Sequence, residues 1–185
     1  YLENGSSTID NYEFMSQCGL MLLGNIELSS GGYPISDQYF DEMPVVFRDS
    51  ALLDRFHGML EGWLMPRINS DMVLRDWSLN VEFFSEMLHQ LRTESVYTDI
   101  VNRLLVIPPK CDERHRKAVV RIATAYLKLF FPHITSIEQV NREEFDTYCL
   151  RPALHRRDII REQCGKIDRQ ESFQNPMPDI RVSDQ

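Results

Sequence analysis

No phosphate-binding loop of the form G-x-x-x-x-G-K-[ST] occurs in this sequence, and neither does H-E-x-x-H, G-x-S-x-G or a paired-cysteine motif. Those absences remove the usual devices for cradling nucleotide phosphates, for zinc hydrolysis and for a serine nucleophile on a sharp turn. The four cysteines, Cys18, Cys111, Cys149 and Cys164, form no C-x-x-C pair and match no zinc spacing, so they read as reduced thiols and no metal site is expected. No apolar run approaches the ~20 residues of a membrane span, and no signal peptide is recognisable. A cytoplasmic protein without a membrane partner is the expectation. Basic residues are also in deficit: 20 Lys and Arg stand against 28 Asp and Glu, for a net charge of −8. The chain as a whole is therefore no polyanion binder, and any nucleic-acid contact falls to a local basic stripe. The first residue is Tyr1 rather than methionine, which reads as a piece of a longer protein.

What the sequence does contain is enough apolar material for a core, 43% of 185 residues, in three zones. Residues 1–69 mix β-type runs with loops. Thr8 to Phe14 fits a short hairpin arm. Cys18-Gly-Leu-Met-Leu-Leu, closed by Gly24-Asn25, fits a buried strand of a parallel sheet. Residues 26–44 are loop-like, Ser50 to Phe56 fits a helical turn capped by Asp49 or Ser50, and Met59 to Trp63 fits another short strand. Tyr39-Phe40-Asp41-Glu42 has the look of a Walker B strand end, but only two apolar residues precede the acidic pair, so it reads as a loop.

Residues 70–165 are helical almost throughout. Trp77, Val81, Phe84, Leu88 and Leu91 recur at three- and four-residue steps, with Trp63 and Trp77 expected as core anchors. A second helix spans Val96 to Leu105 and stops before Pro108-Pro109. A third runs from about Asp112 to Phe131, with Val119, Ile122, Ala123, Tyr126 and Phe130 on its apolar face and Pro132 beyond its end. A fourth begins near Arg142 and is split or kinked by Pro152. Residues 166–185 are polar and read as a linker or frayed tail. The fold class is thus a partial α/β core, with part of a parallel sheet, feeding an all-α bundle, and mainly helical overall.

Three segments in order carry a pattern: the apolar run ending Leu22-Leu23-Gly24-Asn25; Asp49-Ser-Ala-Leu-Leu-Asp-Arg55-Phe-His-Gly58 continuing to Glu61-Gly-Trp63; and Glu113-Arg114-His-Arg-Lys-Ala-Val-Val-Arg121-Ile-Ala-Thr-Ala125. Together they resemble AAA+ ATPases of the Lon and MCM-helicase type, and most closely the Lon-related proteins of bacterial BREX phage-defence systems. The resemblance implies that residues 1–69 are the C-terminal part of an AAA+ core and 70–165 its helical lid. It implies that Asn25 is sensor 1, placing the attacking water, and that Arg55 is the arginine finger. Arg114 becomes the sensor 2 arginine, with Arg121 a second candidate, and the hairpin over residues 6–14 faces a ring's channel. It further implies ATP and Mg²⁺ in the intact protein, a ring of identical subunits (a homohexamer), phage defence and an action on DNA. Both Walker motifs are missing, so the family places them upstream of Tyr1 and its protease-like domain downstream of Gln185; this chain alone is expected not to hydrolyse ATP.

Chemistry fits those roles. Phosphoryl transfer is catalysed mostly by positioning and by cationic stabilisation of the γ-phosphate oxygens. A guanidinium, permanently charged and bidentate, suits that task. Each residue also has a plainer reading. Asn25 fits a turn after a strand, and Arg55 fits a surface pair with Asp54 or Asp49. Arg114, Lys117, Arg121 and Lys128 fit the solvated stripe of a helix, and Arg151 to Arg161 a salt-bridged one. Two other functional classes stay open: a helical interaction module without nucleotide chemistry, and the ATPase part of an ATP-dependent Ser–Lys protease.

Overall fold

A computed structural model describes residues 6–16, 18–41, 43–169 and 171–183. Glu42, the second member of the acidic pair at 41–42, lies outside the described residues. The chain divides into two compact units, one formed by 1–56 with 160–175 and the other by 57–159 with 176–185.

In the first unit, β1 (Ser6–Ile9) and β2 (Tyr12–Met15) form an antiparallel hairpin with Ser6 opposite Met15 and Ile9 opposite Tyr12. Asp10 turns the corner at φ 54°, a left-handed conformation that Asp tolerates better than most residues. The expected parallel strand at Cys18 to Leu23 is absent: this stretch has no regular structure, and Leu20 to Leu23 are all exposed. A parallel strand exists only where neighbours take up its hydrogen bonds and cover both faces. Among the described residues the sheets are two antiparallel pairs, and no parallel neighbour is present. The reading of a partial parallel sheet is corrected accordingly.

Helix α1 (Ser50–Leu53) is a single turn that forms because Asp49 caps it: one carboxylate oxygen accepts from the amides of Ala51 at 2.7 Å and Leu52 at 3.2 Å. Leu53 is fully buried. The Ser50 hydroxyl donates to Asp168 at 3.0 Å, and the Cys164 thiol lies 3.7 Å from the Ser50 carbonyl. The loop at 37–39 is fastened by the buried Gln163, which accepts from the Tyr39 amide and donates to the Asp37 carbonyl, each at 2.8 Å.

The second unit is helical. Its elements are α2 (Val81–Leu91), α3 (Val96–Leu104), α4 (Glu113–Phe130), α5 (Arg142–Phe145) and the part of α6 (Arg151–Ile167) that ends at Ile159. The core joins Tyr97, Ile100, Val101 and Leu104 of α3 with Val119, Val120, Ala123 and Leu127 of α4 and with Phe145, Cys149, Leu150 and Ala153. Each such fully buried aliphatic side chain contributes about 1.5–3 kcal/mol over an exposed one. A π turn at Asp146–Leu150 joins α5 to α6, and the Arg151 amide donates to the Asp146 carbonyl. Pro152 has no amide and crowds the carbonyl four residues back, so widening the turn just before it lets the helix continue rather than split.

Three further expectations differ. Trp77 is fully exposed, at 101%, because Asn80 caps α2 by accepting from the Phe83 amide at 2.9 Å, so the helix starts after Trp77. Met59 to Trp63 is no strand, and Gly62–Leu64 forms a 3-10 turn. Residues 166–185, read as a linker or tail, carry α7 (Glu171–Gln174) and β4 (Arg181–Val182). β4 pairs with β3 (Leu105–Val106), and Ile180 enters the second unit's core.

Candidate functional site

The four residues singled out for nucleotide chemistry fall two to each unit. Asn25 is exposed and sits in irregular chain rather than at a strand tip. Arg55 follows α1 directly, is half-buried, and donates from its guanidinium to the Ala51 carbonyl one turn back. Its side chain is thus tied back locally to the Asp49-capped turn.

Arg114 and Arg121 both lie on α4. They are seven residues apart, close to two helical turns, so they share a face. Arg114 stands in the first turn, where the Asp112 carboxylate accepts its amide at 2.7 Å and caps the helix. The partial positive charge of a helix start adds there to the guanidinium, an arrangement that favours an anion. Arg121 is exposed, and its Nη1 lies 2.6 Å from Nε2 of His57.

Around Arg121 the second unit gathers more basic and imidazole groups. His115 of α4 and Arg157 of α6 are both buried, and Arg157 Nε–H donates to His115 Nδ1 at 2.9 Å. Glu61 faces α6, with His155 Nε2 at 2.6 Å and Arg156 Nη1 at 3.6 Å. Among the described residues no cluster of His, Cys, Asp or Glu is arranged to hold a metal ion.

The profile of the family described as the ATPase domain of BrxL-like, Lon-like proteases matches residues 1–178. The chain belongs to this BrxL-like ATPase family. Two curated relatives carry the name Lon-like protease BrxL. That from Bacillus cereus (strain H3081.97) is 25% identical over 174 residues, covering 94% of this chain and 25% of that protein. That from Escherichia coli O9:H4 (strain HS) is 23% identical over 173 residues, covering 94% of this chain and 24% of that protein. The chain thus spans about a quarter of the length of the BrxL relatives it matches.

In this BrxL-like chain several arginines of the Arg151 to Arg161 stretch make intramolecular contacts. Arg151 pairs with Asp146 at 2.6 Å, Arg156 with Glu61, and Arg161 donates to the carbonyls of Phe173 and Asn175. Lys128, expected on a solvated stripe, donates to the Leu91 carbonyl at 2.6 Å and lies over the Tyr97 ring. Sequence reasoning missed His57, His115 and Arg157. For His57 the neighbouring Gly58 was the available signal, since glycine permits a close backbone approach; no local signal marks His115 or Arg157. No helix among the described residues is long and apolar enough to cross a membrane.

Proposed function

We propose that this chain is the part of an ATP-driven, Lon-like AAA+ protein that brings polar and cationic groups to ATP hydrolysis, while the phosphate-binding loop lies in another segment. The observation that carries the reading is the match of residues 1–178 to an ATPase-domain family. Asn25 is the sensor that places water, Arg55 the finger presented to a neighbouring subunit's nucleotide, and Arg114 the sensor of the lid, with Arg121 beside it. The mount of Arg55 on a capped turn supports its role, because a finger stabilises charge only when held in place. The capped start of α4 supports that of Arg114. A finger is useful only where subunits abut, so the working form is a ring of identical subunits, a homohexamer. Residues 1–69 belong to its ATPase core and 70–165 to its lid; ATP with Mg²⁺ supplies the free energy; and the ring acts on DNA in phage defence, in the cytoplasm.

The test is Arg55→Ala in the full-length protein. Nucleotide binding stays near the wild-type value, whereas hydrolysis falls by about 10³-fold or more. Mixing this variant with a subunit lacking its phosphate-loop lysine restores part of the turnover, since each supplies what its neighbour lacks. Wild-type hydrolysis by Arg55→Ala rules the finger out.

A further inference from the structure

Residues 57–61 lie against α4 and α6 and are fastened at several points. Nε2 of His57 meets Nη1 of Arg121 at 2.6 Å. The Met59 amide donates to the Arg156 carbonyl at 3.1 Å. Glu61 engages His155 at 2.6 Å and Arg156 at 3.6 Å. Between these points Gly58 approaches so closely that a Cβ there would stand 2.8 Å from Arg156 Cβ and 3.0 Å from Ile122 Cδ1.

The first of these contacts has a fixed protonation state. A guanidinium has donors only and stays charged, so Arg121 donates and His57 accepts through an unprotonated Nε2. A proton on that nitrogen removes the acceptor and sets two cations face to face. Arg121 from α4 and Arg157 from α6, both cationic, act electrostatically on His57, while Glu61 on its own segment is engaged by His155 and Arg156.

We infer that His57 is a positioning residue for Arg121: as the neutral imidazole it orients the guanidinium and helps pin residues 57–61 to α4, and its protonation removes that contact and loosens both. This rests on the nucleotide role proposed for Arg121. Burial first, then Arg121, then Arg157 push the His57 pKa below its ordinary 6.5, so the accepting form holds at neutral pH. Because the folded-state pKa lies below the unfolded one, the contact's stabilisation is present in full above pH 6.5 and is lost as pH falls through the folded value.

The full-length protein tests this at about pH 7.5 and about pH 5.5, on either side of the ordinary imidazole range. Two quantities are read: hydrogen–deuterium exchange of the peptide covering 57–62, corrected for intrinsic rates, and affinity for mant-ATP. The wild type loses about tenfold in protection and several-fold in affinity at the lower pH. His57→Gln, which keeps an acceptor and cannot take up the proton, holds both quantities level. Arg121→Ala is less protected than the wild type at the higher pH and binds weakly at both values. Wild-type protection that does not change with pH overturns the inference, as does His57→Gln with the wild-type pH profile. If exchange behaves as expected but Arg121→Ala binds mant-ATP like the wild type, the His57 latch is supported and the nucleotide role of Arg121 is overturned.

Discussion

Arg157 on α6 donates its Nε–H to His115 Nδ1 on α4 at 2.9 Å, and both side chains are buried, Arg157 to 1% exposure. The donor is a charged group held away from water, so its acceptor matters more than an average hydrogen-bond partner. The contact also fixes His115 as the tautomer with its proton on Nε2, because Nδ1 is the acceptor.

His115→Phe keeps an aromatic ring at that place but removes the acceptor. The expected cost is about 1–3 kcal/mol, towards the upper end because the donor is charged. A lowered urea midpoint with an unchanged slope is the signature. A wild-type midpoint would mean that Arg157 Nε does not depend on His115.

Much of the helical zone was legible because its signals are local. Pro108-Pro109 and Pro132 lie beyond the ends of α3 and α4 and mark their stops, and the apolar periodicity between the prolines predicts α4. The Cys18 to Leu23 run was misread because an apolar run states only that burial is favourable, not that neighbouring strands exist. Trp77 was misread because the apolar spacing runs on through Asn80, while the cap chemistry of Asn80 sets where the helix starts. The segments that carry the family resemblance were legible as an ordered set. The His115–Arg157 pair was not, since it joins residues 42 positions apart on two helices whose packing no local pattern encodes.

Gly58→Ala tests how tightly residues 57–61 are docked. The new methyl group meets the Arg156 Cβ at 2.8 Å and the Arg156 backbone carbon at 3.3 Å, and a backbone atom yields less than a side-chain tip. Overpacking of this kind costs about 1–3 kcal/mol. The expected result is a lowered unfolding midpoint with raised exchange at Met59, whose amide bond to the Arg156 carbonyl is strained by the same shift. An unchanged midpoint would show that the segment moves aside without cost.

The cysteines divide by environment. Cys18 is exposed, whereas Cys149 and Cys164 are buried. Burial pushes the Cys149 thiol up to about 12, so it carries almost no thiolate near neutral pH. Iodoacetamide at about pH 8 should label Cys18 and spare Cys149 and Cys164 until denaturant is added, as read by peptide mass spectrometry. Rapid labelling of Cys149 in the native protein would contradict its place in the core.

Ile180 separates the two accounts of the C-terminal stretch. A polar segment with two prolines reads as a tail, yet Ile180 is buried at 4% exposure and the backbone beyond it is paired. The Ser183 amide donates to the Leu104 carbonyl at 2.7 Å, and Arg142 donates to the Ser183 carbonyl. One apolar side chain followed by a two-residue strand is too short a signal to show as periodicity, so only the contacts reveal it. Ile180→Ala should cost about 2–5 kcal/mol, as for other large-to-small changes in a packed core. Asp179→Ala, one residue away and exposed, should stay within about 0.5 kcal/mol of the wild type. Equal and negligible effects from both substitutions would return the segment to the status of a tail, whereas a large loss from Ile180→Ala alone places it in the fold.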